Sequence, residues 1–142
     1  MWKFLQAFCR ARNRSRTQQK RSDPGISRIG AVELASLFVR AGDNLMIFDL
    51  RESAEIEAYP CAIQGALLTF NVNLHALIPW IPPETVVILY ATSDIPAHYA
   101  FVHLLSRKLR FYALDGGLGS WRGAGLPVEH VVFGDRRLSD NR

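Results

Sequence analysis

Cysteine is scarce in this chain: Cys9 and Cys61 are its only two, and no cysteine follows position 61. With one in each of two compositionally different regions, they support neither a disulfide framework nor a Cys-x-x-Cys metal site. A chain with so little cysteine is expected in a reducing compartment, which makes the cytoplasm the default location. Long apolar runs are missing as well; without a stretch of about 18 such residues, no segment is expected to cross a bilayer unaided. Acidic side chains are absent from residues 1–22, and the first 25 residues carry seven Lys or Arg against Asp23 alone, a net of +6. Residues 26–142 hold ten basic and twelve acidic side chains, a net of −2, so the pI of 9.4 belongs to the N-terminal arm. A body this slightly acidic lacks the basic stripe that nucleic acid requires, and no nucleic-acid partner is expected.

What is present divides into a basic arm, 1–25, a body, 26–129, and a C-terminal tail, 130–142. The arm, MWKFLQAFCRARNRSRTQQKRSDPG, sets Trp2, Phe4, Leu5 and Phe8 ahead of a stretch of Arg, Asn, Ser, Thr and Gln. Lys3 and Gln6 interrupt its apolar part and no small-residue cleavage site follows, so it is not read as a secretory signal. Three readings stay open: a solvated flexible tail, a contact with an anionic membrane that would hold the protein peripherally on the inner face, and an organellar targeting segment. Asp23-Pro24-Gly25 marks the hinge into the body.

Within the body, apolar runs alternate with helical patterns. Ile26 to Ile29 reads as extended, and Gly30 opens a helix whose Leu34, Leu37, Phe38 and Ala41 recur at helix spacing before Gly42. Leu45 to Phe48 is a compact strand ending at Asp49, the segment from Arg51 to Ala58 a short helix with Ile56 inward, and 66–70 a further strand. A weak helix with Leu74, Leu77 and Ile78 must end at the prolines 79, 82 and 83. Val86 to Tyr90 is a strand, Pro96 to Leu109 a helix with Phe101, Leu104 and Leu105 on its apolar side, and Phe111 to Leu114 the closing strand. Asp115-Gly116-Gly117 turns into a last helix with Trp121 as a core anchor. Short buried strands separated by helices imply an α/β fold: a parallel sheet of about five strands, covered on both faces, with its site beyond the carboxyl ends of the strands.

Four stretches, MIFDLRESAEIEA, IQGALL, VVILY with a tight loop after it, and FYALDGGLGSWRGAGLPVE, follow one another in the order and spacing of a rhodanese-like domain, which the chain resembles over Ile26 to Glu129. DGG followed by a tryptophan and then AGLPV is the most specific part of the match. The resemblance implies a sulfurtransferase-type architecture, in which a cysteine directly after the fourth strand heads a loop that wraps a persulfide. It also implies that Asp49 and Arg51 match the family's Asp-x-Arg and pair near the loop, whereas on the residues alone Asp49 could simply cap the helix from Glu52. Asp115 and Gly116 fall in the turn that supports the loop. EAYPCAIQGALL, with two extra residues and no histidine before the Gly-Ala pair, is similar to rhodanese domains fused behind DedA-type membrane proteins.

Aligned in this way, Ala91 stands at the cysteine position, with Thr92, Ser93, Asp94, Ile95 and Pro96 around the loop. Sulfur transfer needs a thiolate that takes, holds and yields the outer sulfur, and a methyl group does none of these. Thr92 and Ser93 are poor nucleophiles without an adjacent base and form no stable persulfide equivalent. Asp94 reads as a cap for the next helix, and Pro96 removes one amide donor. The related phosphatase chemistry needs a loop cysteine and arginine, both missing. Cys61 is the remaining nucleophile, an alternative that would leave the protein a thiosulfate or persulfide sulfurtransferase, with a partner's thiol as the other route. Asp94 and His98 stand four residues apart without a third ligand, and His75, His103 and His130 have no partner in sequence, so neither metal nor cofactor is expected. The expectation is therefore a non-catalytic domain acting as a binding or regulatory module, whose degenerate loop admits a small anion or a protein partner, with a membrane-peripheral adaptor tethered by the arm as the remaining class.

Overall fold

Residues 25–69 and 73–131 are described by a computed structural model; the basic arm up to residue 24 and the tail from residue 132 lie outside the described residues. In chain order the elements are β1 (Ser27–Ile29), α1 (Ala31–Arg40), β2 (Leu45–Asp49), α2 (Ser53–Ala58), β3 (Cys61–Ile63), β4 (Leu67–Leu68), α3 (Leu74–Leu77), β5 (Val86–Tyr90), β6 (Arg110–Leu114), α4 (Gly117–Gly123) and β7 (Val128–His130). Five strands form one sheet in the order β1-β6-β5-β2-β4, every pair parallel. The compact apolar runs take its centre: β2 and β5 pair from Leu45 opposite Val86 to Asp49 opposite Tyr90. Such strands are buried on both faces, which is why they read as continuous apolar runs rather than as an alternation.

Alternate side chains of these strands feed two cores. On one face Ile47, Ile88 and Tyr90 pack with Leu34 and Ala35 of α1 and with Leu118 and Trp121 of α4. On the other, Phe48, Val87 and Leu89 pack with Leu74 of α3 and with Ile78, Ile81 and Val102. The α/β class, the five-stranded parallel sheet and its two covered faces are as the sequence implies.

Three local readings change. The strand at 66–70 shrinks to Leu67–Leu68, and β3 and β7, which the sequence reading did not anticipate, pair antiparallel as a separate ribbon from Cys61 opposite His130 to Ile63 opposite Val128. The helix expected from Pro96 to Leu109 is not formed. In its place stand two 3₁₀ turns, Ala97–Tyr99 and Val102–Leu105. Tyr99 N, Ala100 N and Leu104 N donate three residues back, and the Ala100 carbonyl that an α-helix would offer to Leu104 accepts Ile26 N at 2.7 Å instead. Phe101, Leu104 and Leu105, assigned to a core-facing side by spacing, are consequently exposed, and Val102 alone of this turn is buried.

Candidate functional site

Above the carboxyl ends of β2 and β5 lies an open depression of about 600 Å³. Ala91, Thr92, Ser93, Asp94 and Pro96 from the loop after β5 line it together with Arg51, Glu52, Ser53 and Glu55 from the start of α2, and Thr69, His98 and Tyr99 complete the wall. Of the loop residues anticipated from sequence, Ile95 alone turns away, packing against the second core.

Ala91 directly follows β5 and is buried, its carbonyl accepting Leu118 N at 2.9 Å, while the Thr92 carbonyl accepts Gly119 N at 3.1 Å. Both bonds pin the loop to the first turn of α4. That approach is so close that Gly117, at φ 59°, has no room for a Cβ, which would run into the carbonyl oxygens of Ala91 and Ser93. Asp94 does not cap the turn after it. Pro96 occupies the capping position without a side-chain bond, and Asp94 Oδ1 instead accepts Gly116 N at 3.0 Å across the loop. Gly116 and Asp115 therefore brace the loop from behind and do not line the depression, and exposed Arg28 lies 3.3 Å from Asp115 and 3.7 Å from Asp94.

Asp49 and Arg51 form the floor. Both are fully buried, and the carboxylate holds the guanidinium through Nε at 3.0 Å and through a second nitrogen at 2.7 Å. Arg51 also donates to the Tyr59 carbonyl at 2.9 Å and to the Cys61 carbonyl at 2.8 Å, which fastens the chain leaving α2. Asp49 accepts in addition from Arg51 N and from the Tyr90 hydroxyl at 2.8 Å, and that hydroxyl accepts Ile63 N at 3.1 Å. The family pairing of Asp49 with Arg51 is present; the alternative of a helix cap is not, because Glu52 caps α2 in a reciprocal box with Glu55. Burial acts to lower the Arg51 pKa, but the hydrogen bonds and charge of Asp49 outweigh it and hold the guanidinium above its usual range. Its charge is thus spent on Asp49 and on carbonyls, not presented to a ligand.

Burial, followed by the Asp49 charge, raises the Tyr90 pKa far above its ordinary value. A raised folded pKa contributes stability that is fully present below the unfolded value and is lost as pH climbs past it. We expect the denaturation midpoint of the parent to fall more steeply than that of Tyr90→Phe above about pH 10, where a phenol in the unfolded chain ionises. Parallel pH profiles for the two proteins would contradict this.

Cys61, held in β3 with its carbonyl accepting from Arg51, is not among the residues that line the depression. An anion-binding loop draws much of its field from the helix behind it, and here only a three-residue 3₁₀ turn follows Pro96. Glu52, Glu55 and Asp94 also line the walls, and Thr92 Oγ1 donates to Glu55 Oε1 at 3.2 Å, so a small anion would meet carboxylates where a cradle should offer donors. The short helix from Arg51 to Ala58 was legible, but the Glu52–Glu55 box and its place opposite the loop were not. His98 stacks on Tyr99 with ring centroids 4.1 Å apart, and among the described residues no group of three His, Cys, Asp or Glu is placed to hold a metal.

No protein-family model matches the chain, and no curated protein matches it. Among solved structures, a thiosulfate sulfurtransferase from Pseudomonas aeruginosa is 26% identical with a TM-score of 0.60, covering 78% of this chain and 20% of its own. The rhodanese-like domain of an Anabaena sp. protein is 21% identical with a TM-score of 0.57, covering 73% of this chain and 79% of its own. This chain has the rhodanese-like fold. A Rhodopseudomonas palustris protein of unknown function, named as a possible tyrosine phosphatase, superposes with a TM-score of 0.56 at 20% identity, covering 88% of this chain and 93% of its own. Among the described residues no helix is long and apolar enough to cross a membrane.

Proposed function

We propose that this rhodanese-like domain carries no sulfur and works as a binding or regulatory module through the depression at the head of β5. One observation carries the reading: the residue at the base of the loop is Ala91, and the described cysteine, Cys61, is not part of the lining. A sulfur carrier must form a bond between its own thiolate and the transferred sulfur, then release that sulfur to an acceptor, and neither step has an atom to act on at Ala91. The wall supports a ligand of a particular kind. Glu52, Glu55 and Asp94 are among the lining residues, while Arg51, the guanidinium of the lining, is already neutralised by Asp49, so a partner offering N–H donors or positive charge suits the wall better than thiosulfate does. Kinship with the domains fused to DedA-type membrane proteins, and a tethering role for the arm, belong to the same proposal and rest on EAYPCAIQGALL and on the arm's composition.

The test is a thiosulfate and cyanide assay of the purified full chain, with mass spectrometry after exposure to the donor. Thiocyanate formation is expected at the uncatalysed rate, with no persulfide adduct, and Cys61→Ser is expected to change neither result. Turnover by the parent that disappears in Cys61→Ser would replace this reading with the enzyme.

A further inference from the structure

We propose that the segment following the loop, residues 97–110, is a docking face for an anionic lipid surface. Phe101, Leu104 and Leu105 are 55%, 68% and 52% exposed, a large apolar exposure for one short turn. Phe101 and Leu104 share a side, because a 3₁₀ turn repeats every three residues and Leu104 N donates to the Phe101 carbonyl at 3.0 Å. Exposed Arg107, Lys108 and Arg110 follow at once, and no acidic residue occurs between Asp94 and Asp115. Large apolar side chains followed by three cations, against one neighbouring acid, Glu84, whose N–H donates to the Lys108 carbonyl at 2.7 Å, are the composition of a peripheral membrane contact.

Charge selects among the occupants. The chain's own arm is basic, and the same face of a second copy is basic, so either would bring like charges onto Arg107, Lys108 and Arg110. An anionic bilayer supplies the opposite sign together with an apolar layer shallow enough for Phe101 and Leu104. The end of the arm supports this choice: Gly25 packs against Ala100, and Ile26 N donates to the Ala100 carbonyl at 2.7 Å. The described fold thus begins beside this segment, and the residues that precede it in sequence, 1–22, are basic and also free of acids. This proposal does not depend on whether the domain carries sulfur.

The experiment is co-sedimentation of the full chain with vesicles of phosphatidylcholine alone and of phosphatidylcholine with about one third phosphatidylglycerol, at low and high salt. Binding is expected to the anionic vesicles only and to weaken with salt. With the arm intact, Phe101→Ser/Leu104→Ser/Leu105→Ser is expected to bind at least about tenfold more weakly, and Arg107→Gln/Lys108→Gln to weaken as well. Should the triple variant fold poorly, Leu104→Trp reads the same contact: its fluorescence is expected to shift to the blue and to be quenched by brominated lipid. Unchanged binding by the variants, which would leave the arm alone responsible, overturns the proposal. So does a dimer that the triple variant abolishes, or a tryptophan at 104 blind to vesicles.

Discussion

Replacing Arg51 by alanine is expected to destabilise the protein by about 3–5 kcal/mol, the scale for removing one partner of a buried ion pair. The guanidinium is the hub of the floor. Its loss leaves the Asp49 carboxylate in the interior with the Tyr90 hydroxyl and one backbone N–H as its remaining donors, and strips the Tyr59 and Cys61 carbonyls of their partner. A domain of ordinary stability has only about 5–15 kcal/mol in hand, so the loss would remove roughly a fifth or more of it. Arg51→Lys should recover part of the loss by restoring charge without the two-pronged geometry. Urea denaturation checks this, with Glu57→Ala, on the exposed side of α2, expected within about 0.5 kcal/mol of the parent. A loss below about 1 kcal/mol for Arg51→Ala, inside the range of an exposed pair, would mean that the floor is open to water.

The second large effect is expected at Gly117. An alanine there must place its Cβ against the Ala91 and Ser93 carbonyls, and must also hold a backbone φ of 59° that L-residues resist. Overpacking and left-handed strain together amount to roughly 2–5 kcal/mol. The loop can escape the clash only by moving off α4, which breaks the bonds from Leu118 N and Gly119 N to the Ala91 and Thr92 carbonyls, so the depression changes shape with the stability. Two neighbours supply the contrast. At Gly119 a Cβ would sit 3.6 Å from the Thr92 carbonyl, an ordinary contact, and at Gly123 it would meet nothing within 4 Å. In a helix both substitutions are expected to be neutral or stabilising by roughly 0.5–1 kcal/mol. A Gly117→Ala protein with the midpoint of Gly123→Ala would show that the loop and α4 do not touch as described.

The two predictions also mark what was readable in the sequence. Compact runs such as Leu45–Asp49 and Val86–Tyr90 announce buried parallel strands by composition alone, and Ile56 and Trp121 announce core by size and spacing. Asp49 and Arg51 were visible as a pair through the resemblance, which matches them to the family's Asp-x-Arg. Their other partners were not: the Tyr90 hydroxyl becomes a neighbour only when β5 lies beside β2, and the Tyr59 and Cys61 carbonyls only when the chain turns back after α2. The ribbon of β3 and β7 joins positions 63 and 128 and leaves no local trace. Periodicity misled at 96–109, where a helical pattern of apolar residues marks a surface, since the Ala100 carbonyl is claimed by a residue at the other end of the chain. Asp94, a good cap by type, bonds across the loop to Gly116 for the same reason: an acceptor goes to the amide that the tertiary fold brings to it.

The arm enters the molecule through a three-residue edge strand held to β6 and through the Ile26 to Ala100 bond. Any mechanical load on the arm would therefore act in shear on a handful of parallel hydrogen bonds, and Ala100 would feel it one residue from Tyr99 and two from His98. Pulling on that end would strain the rim of the depression before it strained the sheet.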